Sequence, residues 1–178
     1  FAEIRANLQS GGSGWVYDSK RALIATNHHV ARGPQYFHMI TFPNGTKAVL
    51  KLIGSDKETD VALFKVTSAS GEIPPQLPLK AGCVGKTGDD IAVIGYPGTL
   101  ARDDTGDGDY ARTAAYSFGK IGGPKQPQGA FLDSLTLSAQ TLPGYSGGVT
   151  VHMECGVIGM HMASPPPAEI PADVLSEV

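Results

Sequence analysis

Leu142-Pro143-Gly144-Tyr145-Ser146-Gly147-Gly148-Val149-Thr150-Val151 sets a serine between glycines directly ahead of a β-branched run. Glycine accepts backbone angles closed to other residues, so such a turn can aim the N–H groups of Gly144 and Ser146 at one point beside the Ser146 hydroxyl. An oxyanion fits at that point. A serine hydroxyl is a poor nucleophile alone and needs a histidine base with a carboxylate behind it, both from other segments. The competing reading of a glycine-flanked serine is an ordinary surface turn.

Outward from this stretch, the chain is a series of short apolar runs punctuated by 23 glycines and 13 prolines. Runs at 13–16, 22–26, 36–42, 47–53 and 61–66 come before a Pro-rich stretch at 73–78, and runs at 91–94, 111–118, 131–139, 149–152 and 156–162 follow it. Pro43-Asn44-Gly45 between the third and fourth runs predicts a hairpin, because Asn-Gly accepts left-handed turn angles. Long helical periodicity is absent. Many short strands with frequent turn signals predict an all-β sandwich or barrel, divided by a connector near 68–88. A short terminal helix is expected over 172–177.

The length of 178 residues with 41% hydrophobic content suits one domain or two small fused lobes. A net charge of −3 with scattered lysines and arginines gives no electrostatic reason for nucleic acid or an acidic membrane as principal partner. No apolar run approaches the roughly 20 residues that span a bilayer, and the first ten residues lack a signal-peptide layout. The initial Phe1 suggests a mature product or a piece cut from a longer chain. Cys83 and Cys155 are too few and too far apart for a metal or disulfide framework; they read as buried thiols, with their pairing open.

Two adjacent histidines, His28 and His29, lie in the polar turn that ends the run at 22–26, and only one can point at a given site. No His-Glu-x-x-His helix or cysteine cluster accompanies them, so no metal is assigned. Asp60 stands at the mouth of Val61-Ala62-Leu63 and is the candidate orienting carboxylate. Alone, each has a bland reading: a surface histidine and a strand-capping acid.

Together with Ser146 they follow the order His, Asp, Ser, which resembles the chymotrypsin-like serine proteases over most of the chain. Ser13-Gly14-Trp15-Val16, Thr26-Asn27-His28-His29-Val30, Thr59-Asp60-Val61-Ala62-Leu63 and Ile91-Ala92-Val93-Ile94-Gly95-Tyr96-Pro97 resemble motifs of the high-temperature-requirement branch. The resemblance implies two six-stranded antiparallel β-barrels with the site between them. A lobe over 1–75 would carry His29 and Asp60, and one over 76–178 would carry Ser146. It implies His29 as base, Asp60 as its orienting carboxylate, Ser146 as nucleophile and the amides of Gly144 and Ser146 as the oxyanion hole. Tyr145 departs from the usual residue at its place.

In that family a polypeptide substrate pairs as an extended strand with the segment here reading Met160-His161-Met162-Ala163-Ser164, and Gly159-Met160-His161-Met162-Ala163 resembles the corresponding Gly-x-His strand of viral main proteases and glutamyl endopeptidases. Its His161, with Thr141 five residues before the nucleophile, would line the specificity pocket, flanked by Met162 and Ala163. A hydroxyl and an imidazole left unpaired by an apolar or basic side chain are costly, so cleavage after Gln or Glu is expected. The likeness points first to viral polyprotein-processing proteases that use serine, acting in a host-cell cytoplasm, with a secreted glutamyl endopeptidase and a high-temperature-requirement-type domain as the alternatives. From another class, an inactive peptide-binding module fits the same cleft. No cofactor is expected. The acidic loop Asp103 to Asp109 is a minor calcium candidate, lacking a carboxylate at Ala114 where the distal ligand belongs. Gln9-Ser10 is a conceivable self-cleavage bond, and His38, His152 and Glu154 read as solvent-facing.

Overall fold

The computed structural model describes residues 2–7, 10–32, 38–78, 84–97, 114–124 and 134–162, with 2–7 and Ser10 as backbone only. Six strands, β1 (Ala2–Asn7), β2 (Ser10–Asp18), β3 (Leu23–Asn27), β4 (His38–Thr41), β5 (Lys47–Asp56) and β6 (Val61–Ala69), close into a barrel in the order β1-β2-β3-β6-β5-β4. The second sheet has five strands, β7 (Asp90–Gly95), β8 (Ala115–Pro124), β9 (Leu135–Leu137), β10 (Val149–His152) and β11 (Gly156–Met160), ordered β11-β10-β7-β8-β9. Each observed pairing is antiparallel. The all-β double-sheet expectation holds, with five rather than six strands among the described residues of the second sheet.

Alternation in the sequence sets which side chains fill which core. Val16, Ile24, Ile40, Ala48, Leu50, Ala62, Phe64 and Val66 fill the barrel. On the barrel's outer face Trp15 and Ala25 meet Ala92, Ile94, Val149 and Val157 of the second sheet. The other face of that sheet buries Ile91, Val93, Ile121 and Tyr145 together. β7 is thus covered on both faces, which is why Ile91 to Ile94 is an unbroken apolar run rather than an alternating one. The 43–45 turn is a hairpin between β4 and β5: Gly45 N–H donates to Phe42 O at 2.9 Å, and Gly45 has φ 79.

Several sequence expectations are corrected. β1 was invisible as an apolar run, and α1 (His28–Ala31) adds one helical turn after β3. Of the run at 131–139, the described residues 134–139 carry the strand Leu135–Leu137. His38 is 2% exposed, donating from Nε2 to Ala31 O at 3.2 Å with its ring on Phe64, and His152 is buried against Asp89, Nε2 to Oδ2 3.1 Å. Neither faces solvent; a backbone carbonyl and a carboxylate supply the partners that let each imidazole be buried. Cys155 is disulfide-bonded, not a thiol, and Cys83 is the one other cysteine of the sequence. Gln9, Ala163, Ser164, Asp103 to Asp109 and 172–177 lie outside the described residues.

Candidate active site

His29 and Asp60 meet where β3 ends and β6 begins, strands that are hydrogen-bonded neighbours with Asn27 opposite Val61. Asp60 precedes that register and takes φ 54, a left-handed angle that a short acidic residue tolerates. The bend turns its carbonyl and carboxylate back onto the 27–29 segment. Asp60 O accepts the His28 N–H at 3.0 Å and the Asn27 Nδ2–H at 3.0 Å. Asp60 Oδ1 accepts the His29 backbone N–H at 2.9 Å, and Oδ2 meets His29 Nδ1 at 2.7 Å. A carboxylate only accepts, so Nδ1 carries the imidazole proton and Nε2 keeps a lone pair. The Asp60 side chain is 8% exposed while that of His29 is 40% exposed, so the carboxylate is shielded and the imidazole faces outward. His28 points elsewhere, its Nδ1 3.1 Å from Ser55 Oγ.

The segment around Ser146 is two turns in series. Tyr145 N–H donates to Leu142 O at 3.1 Å, with Pro143 and Gly144 (φ 104) between them; Gly148 N–H donates to Tyr145 O at 2.8 Å, spanning Gly147 (φ 82). Pro at the second position and a positive-φ glycine at the third are what a type II turn requires. Close approach fixes Gly147 further: a Cβ there would sit 2.1 Å from Ser13 O and 2.2 Å from Thr26 Oγ1. Gly148 is equally confined, 2.4 Å from Ile94 O.

Among the described residues the N–H groups of Gly144 and Ser146 have no hydrogen-bond partner. Two donors without a partner among the described residues thus flank Tyr145 in the chain. That hydroxyl donates to Met162 O at 3.3 Å, a long bond, and makes none to His29. The structure therefore brings His29 to Asp60 and Ser146 to Met162, without joining the two pairs. Catalytic hydrogen bonds are commonly loose until substrate is bound.

Tyr145 is buried in the second core, where desolvation raises its phenol pKa, and its ring meets that of His161 edge-on, centroids 6.4 Å apart. The His161 backbone clasps the turn, accepting the Gly147 N–H at 3.0 Å and donating to Gly148 O at 2.8 Å. Its imidazole is 9% exposed, and Nε2 has no partner among the described residues. Burial pushes its pKa down to about 4. Thr141 is half-buried in the approach to the turn. Sequence reasoning missed the side chain of Ser13, whose motif was visible but whose hydroxyl reaches Gly144 O at 2.7 Å.

Among the described residues no group of three His, Cys, Asp or Glu side chains could hold a metal, and no helix is long and apolar enough to cross a membrane.

A family model for the trypsin-like peptidase domain matches residues 12–160. The chain is similar to the serine protease PepD of Mycobacterium tuberculosis (strain ATCC 25618 / H37Rv), 28% identical over 161 residues, which cover 85% of this chain and 33% of that one. It is also similar to a probable periplasmic serine endoprotease DegP-like of Hahella chejuensis (strain KCTC 2396), 29% identical over 153 residues covering 86% and 29%. The fold resembles that of the serine endoprotease from Yersinia pestis, TM-score 0.74 at 23% identity over 92% of this chain and 53% of that one. The chain spans about a third of the length of the curated relatives it matches.

Proposed function

The chain belongs to the trypsin-like peptidase domain family, and from that membership we propose that it hydrolyses peptide bonds with His29, Asp60 and Ser146 as its triad. The observation that carries the reading is the His29 Nδ1 contact to Asp60 Oδ2 at 2.7 Å in a chain whose Ser146 sits beside two unpaired amides. When substrate enters, the Ser146 hydroxyl leaves Met162 O and turns to His29 Nε2, which takes its proton as Oγ bonds to the scissile carbonyl carbon. The oxyanion lies between the N–H groups of Gly144 and Ser146. Loss of one such donor typically costs about 3 kcal/mol of transition-state stabilisation. His29 then protonates the leaving amine, the C–N bond breaks, and water repeats the sequence on the acyl-enzyme. Asp60 holds the tautomer and stabilises the imidazolium.

The relatives carry names of the DegP- and HtrA-like type, which favours the high-temperature-requirement branch over viral polyprotein processing. The disulfide at Cys155 supports an oxidising compartment over a reducing cytosol. Two lobes dividing near residue 75 would set the triad at their junction, the first giving His29 and Asp60.

For the residue before the cleaved bond, the reading is Gln. A buried His161 Nε2 lacking a partner is costly, and a side-chain carbonyl oxygen would satisfy it. An imidazole held neutral by burial offers no charge to a carboxylate, so carboxamide is preferred over Glu. Thr141, Met162 and Ala163 complete the proposed binding strand. A peptide panel varied at this position tests it: preference for Gln supports His161 and Thr141 as readers, whereas preference for Val, Phe or Arg removes them and leaves the triad standing. The Ser146→Ala variant tests the triad itself, since it should lose turnover with its thermal midpoint unchanged; peptide affinity without cleavage in either form would favour a binding module.

A further inference from the structure

Ser13 lies on β2 of the first barrel, 1% exposed, yet its side-chain hydrogen bonds run outside that barrel. Its Oγ accepts the Tyr96 N–H at 2.8 Å and donates to Gly144 O at 2.7 Å. The proton's place is forced, because an amide N–H can only donate and a carbonyl oxygen only accept. Its backbone N–H donates to Ser146 O at 2.7 Å, and its own carbonyl accepts from Thr26 Oγ1 at 2.7 Å.

The consequence lies in the three consecutive carbonyls of the nucleophile turn. Tyr145 O is held by Gly148 N–H within the turn. Gly144 O and Ser146 O are both held by Ser13, one by side chain and one by backbone. Tyr145 O shares its peptide with the Ser146 N–H, so its bond to Gly148 fixes that donor directly, while the tie on Gly144 O fixes the torsion at Gly144 that relates the Gly144 N–H to the rest of the turn. Glycine at 144 gives that segment little stiffness of its own. Without the Ser13 hydroxyl, the Gly144–Tyr145 peptide keeps only the Tyr145 N–H bond to Leu142 O at 3.1 Å, and the Gly144 N–H is aimed at the cleft less firmly.

We propose that Ser13 is the positioning residue of the oxyanion hole, acting from the other barrel by tying Gly144 O and Tyr96 N–H through one hydroxyl. The proposal rests on the assignment of Ser146 as nucleophile. It makes the hole a property of the interface between lobes as well as of its own loop. Tyr96 directly follows β7, so the same hydroxyl ties the second sheet to the turn it supports.

The test is Ser13→Ala, measured with a peptide substrate, a peptidyl boronate that mimics the tetrahedral state, and the cleaved product peptide. The expected result is a fall in kcat of about 10- to 100-fold, less than or equal to the loss of a whole hole donor, with KM within about twofold. Boronate affinity should fall by the same factor as kcat/KM, and product affinity should stay unchanged. Ser13→Cys keeps the volume and a weak donor, and should fall between Ala and the parent. Activity within about threefold of the parent, equal losses for boronate and product, or failure of both variants to fold would each overturn the proposal. Phosphonate labelling of the parent chain keeps the two questions apart: label absent from Ser146 sinks the nucleophile assignment, whereas label on Ser146 with unaltered Ser13→Ala kinetics sinks only the role of Ser13.

Discussion

Replacing Asp60 by Asn removes a charge at nearly constant shape, and the structure dictates the result. The two carboxylate oxygens have separate tasks: Oδ1 accepts the His29 backbone N–H at 2.9 Å and Oδ2 accepts the ring Nδ1–H at 2.7 Å. Asparagine has one oxygen and one NH2. If its oxygen faces the ring, the NH2 confronts the His29 N–H, two donors in a site 8% exposed, at a cost of about 1–3 kcal/mol. If its oxygen keeps the backbone N–H, the NH2 faces the ring, Nδ1 must accept, and the imidazole proton moves to Nε2. The second arrangement satisfies every group, so it wins, and Nε2 can no longer take the Ser146 proton. The expected loss in kcat is about 10⁴-fold, equivalent to about 5 kcal/mol of barrier. The fold should survive, because asparagine accepts the φ of 54 that residue 60 requires. A fluorogenic peptide assay read beside a thermal melt is sufficient. Activity within tenfold of the parent, in a fully folded Asp60→Asn, would refute the reasoning.

Two glycines separate strain from collision. Gly45→Ala, with φ 79 and open space around the new methyl, should lower stability by only about 1–2 kcal/mol; Gly147→Ala meets Ser13 O at 2.1 Å and should cost several times more with loss of activity, as comparative denaturant melts would reveal. Equal losses at the two sites would mean that the turn is not wedged against the first barrel. His161 predicts a pH effect on stability. Its folded pKa of about 4 lies below the ordinary 6.5, so the unfolded chain binds the extra proton between those values and stability falls as pH drops from about 6.5 to about 4. The contribution is up to about 3 kcal/mol and should vanish in His161→Gln; a parallel pH profile for both forms would contradict the buried neutral imidazole.

The parts of the fold that were legible in the sequence are those where local chemistry and tertiary structure agree. Asn44-Gly45 makes a hairpin because Gly45 needs a positive φ, and Val149 to His152 is a strand with the predicted bounds. Ala2–Asn7 carries too few apolar residues in sequence to signal a strand; it is one because barrel closure supplies β2 and β4 as partners. His38 and His152 show the same limit from the other side. A histidine's burial is decided by the group that meets it, here Ala31 O and Asp89, and no local pattern encodes that meeting. The order of His29, Asp60 and Ser146 was legible through motif resemblance, while the left-handed bend at Asp60 that aims the carboxylate was not. Ser13 was hidden for a related reason: its partners lie 83 and 131 residues away along the chain.

The central claim is that His29 activates Ser146 against an electrophile, although the free structure leaves the two unbonded. Reaction of the intact chain with a fluorophosphonate, followed by mass-spectrometric mapping of the adduct, addresses it directly. The account predicts a single phosphonylated residue, Ser146, with labelling slowed at least about 10³-fold in His29→Ala, a loss of the size expected when a member of such a triad is removed. An adduct at another side chain, or equal labelling rates with and without the imidazole, would contradict it.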